Sequence, residues 1–547
     1  MKIRDIIGSA RLVRGDGDGT VSSVTYDSRQ VSRGDLFVAI RGERSDGHAY
    51  IGDAIGRGAA AVAFEKGAVD LADIMSSAAG VTWIEAPDTR EALASFSSLF
   101  YGRPSDALTV VGITGTNGKT TTSYLLKSVI ERWGKKAGLI GTIRYLIGRE
   151  AFDAPHTTPE ASDFQRLLRS MADAGCSHVV AEVSSHGLTQ RRADCTRFSA
   201  AVFTNLTRDH LDFHGTMEEY FTAKERLFTE LLDEGGCAVV NVDDPYGQRL
   251  VAKLRDVRRD VSVLTYGITN KEAGLTASEM KTGVSGTSFR IDVRDREGRC
   301  VPAGLSAPGD APGSGGKGPW TVASSLVGRT NVYNMLAAIA ASYCLGIPPE
   351  VVRDGISSAG AVDGRFEKVD AGQEFLAVVD YAHTGDALER LITTARQLLE
   401  NGDGHCPVRR KEPGRIITVF GCGGDRDRGK RPVMGKIAAE LSDFVIVTSD
   451  NPRFEDPGAI IADIEKGMQG DRYVVVPDRN TAISLAVGTA GKGDIVLVAG
   501  KGHEDYQEVR GVRTHFSDRE AIQAAVKRRG GHKSPPGDRT GQGNVAA

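Results

Sequence analysis

Apolar runs alternate with amphipathic stretches along most of the chain, and this pattern predicts an α/β protein. In the first hundred residues it predicts strands at 21–26, 35–40 and 60–65, with helices near 46–57 and 89–101. The second helix ends at Gly102-Arg103-Pro104, a sequence typical of a linker. We therefore expect a first domain at residues 1–103.

A second group of apolar runs is continuous, at 108–114, 178–183, 200–206 and 237–243. Continuous apolar strands separated by helices predict a parallel sheet that is covered on both faces. We expect this domain to span 104–362 and to close with a helix at 331–345. The Pro/Gly/Ser-rich segment 302–319 predicts a surface insertion.

The alternation starts again at 375–383, 415–421, 444–450, 473–478 and 494–500. This pattern predicts a third domain at 363–530, a doubly wound sheet whose ligands lie at the carboxyl ends of the strands. The segment near 401–414 reads as another surface insertion. The tail at 531–547 is rich in Gly, Pro and charge, which predicts disorder.

Composition excludes several classes of function. The 547 residues include 68 basic and 71 acidic side chains, so the formal net charge of −3 indicates neither a nucleic-acid partner nor an acidic membrane surface. No apolar run is long enough to span a bilayer, and the N-terminus lacks the features of a secretory signal. Seven scattered cysteines predict neither a disulfide framework nor a structural zinc site, and they favour the reducing cytosol.

The segment 112–120, Gly-Ile-Thr-Gly-Thr-Asn-Gly-Lys-Thr, follows a predicted strand and opens a predicted helix. Such a loop directs main-chain N–H groups at phosphates, and the helix N-terminus adds a favourable dipole. Lys119 would reach the β- and γ-phosphates, and the Thr120 hydroxyl would face Mg²⁺. Ile113 stands where the strict motif has glycine, so a chance glycine-rich turn is the alternative.

Glu182 ends the apolar run 178–183. A carboxylate at the carboxyl end of a parallel strand can hold Mg²⁺. The alternative is a solvated loop residue.

Lys224 lies on the apolar stripe of a predicted helix at 216–232, four residues after Tyr220 and three before Leu227. The helix begins with a capping box formed by Thr216 and Glu219. A lone buried ammonium is costly, so one interpretation is a lysine whose stem lies along the apolar face while its head reaches water. The polar residues at 209–214 suggest a second interpretation of Lys224. A lysine beside metal ligands can be carbamylated by CO₂, which gives a carboxylate-like anion able to hold a second Mg²⁺.

These motifs resemble those of the Mur ligases, most closely the MurE type. The resemblance covers almost the whole chain and includes 115–120 (GTNGKT), 182–188 (EVSSHGL), 204–215 (TNLTRDHLDFHG), 450–453 (DNPR) and 500–507 (GKGHEDYQ). It implies three domains: an N-terminal one for the uridine nucleotide, a central P-loop ATPase and a C-terminal Rossmann-like domain for an amino acid.

The resemblance also implies the site residues. The catalytic set would be Lys119, Glu182, His210 and Lys224. ATP would contact Gly115, Thr116, Asn117, Gly118, Lys119, Thr120, Thr121, Asn331, Asn334, Arg365 and Asp380. The UDP-sugar and its dipeptide would contact Ser28, Arg29, His48, Thr157, Thr158, Ser184, Gln190 and Arg192. Two Mg²⁺ ions would be held by Thr120, Glu182, His210 and Lys224 modified to N6-carboxylysine.

The amino acid would be bound by Arg426, Asp450, Asn451, Pro452, Arg453, Gly500 and Glu504. The DNPR form is associated with diaminopimelate, which carries a distal carboxylate that lysine lacks. A guanidinium grips a carboxylate bidentately, so Arg453 and Arg426 are the candidate clamps. The alternative for Arg453 is a surface residue of a turn.

The implied reaction is ATP-dependent ligation of meso-diaminopimelate to the D-Glu γ-carboxylate of UDP-N-acetylmuramoyl-L-Ala-D-Glu, through an acyl phosphate. The enzyme would be a cytoplasmic monomer that acts on small molecules, with no nucleic-acid partner and no membrane span. Alternatives are a lysine-adding Mur ligase, another amide ligase of the family, or a P-loop NTPase that makes no bond.

Overall fold

The structure is a computed structural model that describes residues 1–8, 10–42, 45–68, 80–294, 300–301, 320–401 and 414–531. The predicted insertion at 302–319, most of the one near 401–414 and nearly all of the predicted tail lie outside these residues. The described chain divides into two compact units. The first contains 1–281, 286–325 and 329–360, and the second contains 282–285, 326–328 and the described residues from 361 on.

The first unit begins with a five-stranded sheet of order β1-β5-β4-β3-β2, in which only β1 is antiparallel to its neighbour. Its strands are β1 (Arg11–Arg14), β2 (Val24–Thr25), β3 (Leu36–Val38), β4 (Ala61–Glu65) and β5 (Thr82–Ala86), and its helices are α1 (Ile51–Gly56) and α2 (Thr89–Phe100). The predicted strands and helices of this region are confirmed, although a 3₁₀ turn at Gly47–Tyr50 replaces the start of the first helix. The pattern did not predict β1, because this edge strand is largely exposed and lacks an apolar face.

A second sheet of the same unit has the order β16-β15-β14-β13-β12-β11-β6-β10-β7-β8-β9, with β17 paired to β15. The strands are β6 (Thr109–Thr114), β7 (Ala137–Ile140), β8 (Arg144–Ile147), β9 (Glu150–Asp153), β10 (His178–Glu182), β11 (Phe198–Phe203), β12 (Leu232–Asn241), β13 (Ser262–Gly267), β14 (Leu275–Gly283), β15 (Gly286–Arg294), β16 (Cys300–Val301) and β17 (Trp320–Ser324). Neighbouring strands in the series β13-β12-β11-β6-β10-β7 are all parallel. The four predicted continuous strands are confirmed as β6, β10, β11 and β12, and they are buried along most of their length.

Helices cover this sheet: α3 (Lys119–Arg132), α4 (Ala161–Asp173), α5 (Ser185–Thr189), α6 (Leu211–His214), α7 (Met217–Arg226), α8 (Pro245–Val257), α9 (Arg329–Cys344) and α10 (Pro349–Ser358). The predicted capping box at Thr216 and Glu219 is confirmed at the start of α7. The predicted helix is shorter than expected, because α7 passes into a π-helical turn at Leu227–Leu231 and then into β12.

The second unit contains a six-stranded sheet of order β18-β19-β23-β20-β21-β22, parallel except for β18. Its strands are β18 (Glu367–Val369), β19 (Leu376–Asp380), β20 (Ile416–Phe420), β21 (Phe444–Val447), β22 (Tyr473–Val475) and β23 (Ile495–Ala499), and β24 (Tyr506–Val509) and β25 (Val512–His515) form a separate hairpin. The helices are α11 (Gly385–Asn401), α12 (Lys430–Leu441), α13 (Pro457–Glu465), α14 (Arg479–Thr489) and α15 (Asp518–Gly531).

Successive residues of β19 enter different cores: Val378 packs with Leu388 and Met434, whereas Val379 packs with Ile483 and Ile522. Helices therefore cover both faces, and the predicted doubly wound sheet is confirmed. Together with the first unit, it confirms the α/β class. The domain boundaries at 103/104 and 362/363 stay a prediction.

One sequence-based expectation about the cysteines is wrong. Cys237 and Cys344 form a disulfide, with 6.1 Å between their Cα atoms. Cys237 lies in β12 and Cys344 ends α9, a helix that packs on β12. The separation of 107 residues hid this pairing from inspection of cysteine spacing.

No helix in the described ranges is both long enough and apolar enough to cross a membrane.

Candidate active site

The loop between β6 and α3 has the geometry of a phosphate cradle. Gly115 and Gly118 have positive φ angles of 142° and 88°, which residues with a side chain rarely adopt. A Cβ at Gly115 would lie 1.9 Å from the Thr204 hydroxyl, and one at Gly118 would lie 2.3 Å from Asn334 Oδ1. Both glycines are therefore required by backbone conformation and by close packing, as expected for a phosphate-binding loop.

Residues at the end of β11 hold this loop. The Asn117 N–H donates to Asn205 Oδ1 at 3.0 Å, and the Thr116 N–H donates to the Asn205 carbonyl at 2.8 Å. The Thr204 hydroxyl donates to the Asn117 carbonyl at 2.7 Å. The motif at 204–215 contains both supporting residues, but its pattern did not single them out.

Lys119 begins α3, and its ammonium turns back over the loop. It donates to the carbonyls of Gly115 and Thr116 at 2.8 and 2.9 Å. This places a positive charge at the loop, where a nucleotide's phosphates would lie.

Glu182 ends β10 and is fully buried, so it is not a solvated loop residue. Its carboxylate accepts hydrogen bonds from the Thr120 hydroxyl at 2.9 Å and from the N–H and hydroxyl of Thr142, both at 3.0 Å. Thr142 follows β7, a short strand that the pattern did not predict. The Thr120 hydroxyl and the Glu182 carboxylate are the hard oxygen donors that Mg²⁺ prefers.

Lys224 is 1% exposed, which excludes a head group that reaches water. Its ammonium donates to the Gly115 carbonyl at 3.0 Å and lies 4.6 Å from the centre of the Tyr220 ring. Burial, and then the charge of Lys119, hold the pKa of Lys224 well below its usual value, against the opposing effect of Asp209. A low pKa favours the neutral amine, which is the form that adds CO₂.

His210 lies in a ring cluster next to Lys224. Its Nε2 is 3.4 Å from Asp209 Oδ2, and its ring meets His186 edge-on at 4.8 Å and Tyr220 at 6.1 Å. His214 packs on Tyr220 at 5.0 Å, and burial, followed by the charges of His186 and Lys224, lowers its pKa to about 4. His214 was not predicted as a site residue.

Across the described ranges, no group of three or more His, Cys, Asp or Glu side chains could hold a metal ion by itself. Mg²⁺ keeps several waters and is commonly bound by one or two carboxylates together with substrate phosphates. Thr120 and Glu182 fit such a site, and an anionic form of Lys224 would add an oxygen donor beside the loop.

The predicted dipeptide-binding residues lie around Glu182. The Thr157 hydroxyl is 3.0 Å from that of Thr142, and the Thr158 hydroxyl donates to the Glu182 carbonyl at 2.9 Å and accepts from the Ser184 N–H at 3.0 Å. Ser184 caps α5, whose C-cap is the buried Gln190. The structure thus brings Thr157, Thr158 and Ser184 together.

Arg192 is held by a residue that the pattern did not identify. It donates to the Thr158 carbonyl at 3.0 Å, and its guanidinium lies 2.9 Å from the buried carboxylate of Glu160. Glu160 also contacts Arg90 at 3.4 Å. The buried Arg192 Nε has no hydrogen-bond partner among the described residues.

The predicted UDP-sugar residues lie in two 3₁₀ turns. Ser28 is buried, and Arg29 is 84% exposed and pairs with Asp27 at 2.8 Å. His48 Nε2 accepts the Glu65 N–H at 3.0 Å, so the imidazole proton is on Nδ1, which contacts Asp46.

The predicted ATP-binding residues fall in both units. In the first, Asn334 donates to Asn331 Oδ1 at 3.0 Å and packs against Gly118. In the second, the Arg365 guanidinium lies 4.7 Å from the centre of the Tyr381 ring. Asp380 accepts the Phe366 N–H at 2.6 Å, and burial raises the pKa of Asp380 while Arg365 opposes this.

The predicted amino-acid site brings Asp450, Asn451, Gly500 and Glu504 together in the second unit. Asn451 Nδ2 donates to Glu504 at 2.7 Å, and a Cβ on Gly500 would lie 2.4 Å from Asp450 Oδ2. Lys501, which was not predicted, is fully buried and donates to Asn451 Oδ1 at 3.0 Å.

Arg453 has a left-handed conformation, with φ of 52°. The hairpin β24–β25 holds this conformation: the Arg453 N–H donates to the Glu508 carbonyl at 3.0 Å, and the Arg510 N–H donates to the Arg453 carbonyl at 2.6 Å. Its guanidinium donates to the Gly424 carbonyl at 2.7 Å. Arg453 is thus a fixed, half-buried residue, which excludes a free surface arginine.

The other predicted clamp, Arg426, is exposed and donates to the neighbouring Asp425 carbonyl at 3.1 Å. Pro452 precedes Arg453, and its carbonyl would lie 1.9 Å from a Cβ at Gly424. The loop 421–426 therefore packs closely against the loop that carries Arg453.

Comparison with known proteins gives three adjoining family matches. Residues 20–101 match the family described as "Mur ligase family, catalytic domain", residues 113–342 match "Mur ligase middle domain" and residues 364–502 match "Mur ligase, glutamate ligase domain".

The chain is 45% identical over 529 residues to the UDP-N-acetylmuramoyl-L-alanyl-D-glutamate--2,6-diaminopimelate ligase of Geobacter metallireducens, covering 93% of this chain and 94% of the relative. It is 43% identical to the protein of the same name from Solibacter usitatus, covering 98% and 100%. A solved structure of a protein of this name is 31% identical, with a TM-score of 0.64 and coverage of 97% and 99%. MurF of Thermotoga maritima in complex with ADP shares the fold, with a TM-score of 0.60 at 20% identity and coverage of 93% and 99%.

Proposed function

The chain belongs to the Mur ligase family, and we propose that it is the ATP-dependent ligase that joins diaminopimelate to UDP-N-acetylmuramoyl-L-alanyl-D-glutamate. The product would be a peptidoglycan precursor. Two relatives of 45% and 43% identity carry this activity in their names.

The observation that carries the proposal is the burial of Lys224 beside the phosphate loop. Lys224 donates to the Gly115 carbonyl and has a lowered pKa, so it is suited to modification into an anion. A P-loop switch that makes no bond leaves a buried lysine at this position unexplained. A ligase that brings ATP and a carboxylate together needs further charge neutralisation at this point.

The reaction requires activation of a carboxylate. The D-Glu γ-carboxylate attacks the γ-phosphorus of ATP, which releases ADP and gives an acyl phosphate. The amine of diaminopimelate then attacks the acyl carbon, inorganic phosphate leaves with the C–O bonding electrons, and the amine loses a proton. Both first reactants are anions, so the ammonium of Lys119 lowers the barrier by neutralising charge on the phosphates.

We assign Mg²⁺ to the oxygen donors beside the loop. Thr120 and Glu182 would hold one ion, and His210 with carbamylated Lys224 would help to hold a second. Bound Mg²⁺ would screen the phosphate charge and orient the phosphoryl group. Thr142 fixes the Glu182 carboxylate through two hydrogen bonds, so this carboxylate is already oriented before substrate binds.

The muramoyl dipeptide would bind through Thr157, Thr158, Ser184, Gln190 and Arg192. Thr158 connects this set to Glu182, so the acceptor carboxylate would lie close to the phosphates. The UDP end would contact Ser28, Arg29 and His48.

The choice of amino acid would rest on Arg453. Its guanidinium would bind the distal carboxylate of meso-diaminopimelate, which L-lysine lacks. Arg426 would assist from its exposed position, and Glu504 with Gly500 would bind the ammonium of the same end.

We also propose the domain limits 1–103, 104–362 and 363–530 for the binding of UDP-sugar, ATP and amino acid. Asn331 and Asn334 of the first unit, and Arg365 and Asp380 of the second, are the residues outside the phosphate loop that we propose for ATP binding. The near-neutral charge fits an enzyme that acts on small molecules, and we propose a cytoplasmic monomer.

Phosphate release tests the function directly. The full chain is given ATP, Mg²⁺ and UDP-N-acetylmuramoyl-L-Ala-D-Glu, with meso-diaminopimelate or L-lysine in parallel, and the product mass is measured. Release and a tripeptide product only with diaminopimelate are expected. Preference for L-lysine would contradict the role of Arg453, and release that ignores both amino acids would favour a P-loop NTPase.

A further inference from the structure

Lys501 is a fully buried lysine in the loop after β23, outside every role described above. Its ammonium donates to Asn451 Oδ1 at 3.0 Å, lies 3.4 Å from Glu504 Oε2 and lies 5.4 Å from the centre of the Tyr506 ring. A buried ammonium is retained only where it is paired.

The hydrogen bonds around Asn451 fix which way its amide points. Asn451 Oδ1 accepts from Lys501 and from the Glu508 N–H, both at 3.0 Å, so its Nδ2 is directed at Glu504, at 2.7 Å. Lys501 therefore acts on Glu504 in two ways: through its charge and through the orientation of Asn451.

Glu504 lies among other charged side chains of its own unit. Asp450 and Glu504 contribute two carboxylates and Lys501 contributes one ammonium. Arg479, on α14, forms a fully buried ion pair with Asp518, and its charge also interacts with Asp450 and Glu504. The carboxylates of Asp450 and Glu504 would attract an incoming ammonium.

Two tyrosines also lie near Glu504: Tyr381 after β19 and Tyr506 at the start of β24. Burial raises the pKa of both phenols, so both are neutral at physiological pH. Neither supplies a charge that could replace that of Lys501.

We propose that Lys501 is a positioning residue that keeps Glu504 ionised and oriented, and thereby sets the affinity of this site for the ammonium end of diaminopimelate. This inference rests on the proposed function and deepens it. Burial, and then Asp450, raise the pKa of Glu504, whereas Lys501 and the Asn451 hydrogen bond lower it. Without Lys501 the pKa of this carboxyl would rise further, and wherever Glu504 takes up a proton it would lose its attraction for an ammonium.

The test is the KM for meso-diaminopimelate of wild type and Lys501→Met, from phosphate release between about pH 6.5 and about pH 9.5. We expect the variant's KM to exceed that of wild type by roughly tenfold or more near neutral pH, with the ratio falling towards one as pH rises and Glu504 ionises again. The KM values for ATP and for the UDP-dipeptide should stay the same. Lys436→Met, which removes a 65% exposed lysine of the same unit, is the matched control and should have no effect.

Two further variants keep the test decisive if Lys501→Met folds poorly. Lys501→Gln retains a donor to Asn451 without the charge, and it should reproduce the pH-dependent ratio. In a Glu504→Gln background, loss of Lys501 should add no further pH-dependent effect, because the titrating carboxyl is gone.

A KM ratio that does not change with pH would overturn the inference, since it would indicate a purely structural role. A lower KM in the variant would also overturn it, because repulsion between Lys501 and the substrate ammonium would then dominate. Failure of the proposed function differs from both: wild-type phosphate release would not respond to diaminopimelate, which would overturn both proposals.

Discussion

Lys119 and Lys224 donate hydrogen bonds to one acceptor, the main-chain carbonyl of Gly115, at 2.8 and 3.0 Å. Two ammonium groups that share a carbonyl repel each other, and Lys224 is the buried member of the pair. The charge of Lys119 is accordingly a cause of the lowered pKa of Lys224, second only to burial. Conversion of Lys224 to a carbamate would turn this repulsion into attraction.

Replacement of Lys224 tests the carbamate. Lys224→Ala should lower kcat by about two orders of magnitude or more, because an anion beside the phosphates is lost. Short carboxylic acids added to the assay should restore part of the rate by occupying the vacated space. Lys135→Ala, which removes an exposed lysine of the same unit, should behave as wild type. Full activity of Lys224→Ala would refute the carbamate role.

Glu182 should determine the affinity for Mg²⁺. Glu182→Gln keeps the side-chain size but removes the charge, and the amide cannot accept all three hydrogen bonds in the same way. We expect the Mg²⁺ concentration for half-maximal phosphate release to rise about 10- to 100-fold. The exposed Glu150→Gln serves as the control. An unchanged Mg²⁺ requirement would contradict the assignment of Glu182 as a ligand.

Gly118 should be essential for ATP binding because of its packing. Gly118→Ala would bring a Cβ to 2.3 Å from Asn334 Oδ1, and we expect the KM for ATP to rise by at least about tenfold. Gly134→Ala is the control for backbone strain. Gly134 has a similar φ of 79°, but a Cβ added there would have no atom within 4 Å. Equal effects of the two substitutions on ATP binding would show that the contact with Asn334 is unimportant.

Arg453 should control the discrimination between diaminopimelate and lysine. Arg453→Ala removes a charge-assisted hydrogen bond, so the kcat/KM for meso-diaminopimelate should fall about 10- to 100-fold, equivalent to about 1.5–3 kcal/mol. Activity with L-lysine should change far less. An amino-acid panel measures both, with the exposed Arg472→Ala as control. Equal losses for the two amino acids would remove Arg453 from the recognition of the distal carboxylate.

Asp243 should make stability depend on pH. Burial alone would raise the pKa of Asp243, but the N–H groups of 268–270 and the Tyr333 hydroxyl lower it to about 2. The folded pKa lies below the ordinary value of 3.8, so the stabilisation is complete above that pH and is lost as pH falls towards about 2.

The measurement is the difference in melting temperature between wild type and Asp243→Asn. This difference should be large at neutral pH and should shrink on acidification, because protonated Asp243 also loses its charge. Asp173→Asn, at a 55% exposed position, should show little difference at any pH. If the difference in melting temperature between wild type and Asp243→Asn persists in acid, the destabilisation is caused by the altered hydrogen-bond geometry and not by the loss of charge.

Much of the central site could be predicted because its signals are local. The phosphate loop is a short run of sequence between a strand and a helix, and the burial of Lys224 follows from helical spacing to Tyr220 and Leu227. The same spacing could not show the lowered pKa of Lys224, which depends on Lys119 more than a hundred residues away in the chain.

The residues that the pattern missed depend on packing between distant segments. Lys501 stands in a glycine-rich loop with charged neighbours, where a lysine ordinarily faces solvent, and only contacts with Asn451 reveal its burial. Thr142 follows a four-residue strand too short to give a clear period. The Cys237–Cys344 bond joins a strand to the end of a helix, a proximity that no spacing rule gives.

The hydrogen bonds between Arg453 and the hairpin β24–β25 have a consequence for protein engineering. They involve main-chain atoms of Glu508 and Arg510, and the Gln507 side chain of the same hairpin donates to the Asp450 carbonyl at 2.7 Å. Transplanting the four residues 450–453 into a lysine-adding relative would move the guanidinium but not the frame that gives Arg453 its left-handed backbone. An exchange of specificity would therefore require transfer of both the loop 450–453 and the hairpin β24–β25. The two segments are separate in the sequence but act together in positioning Arg453.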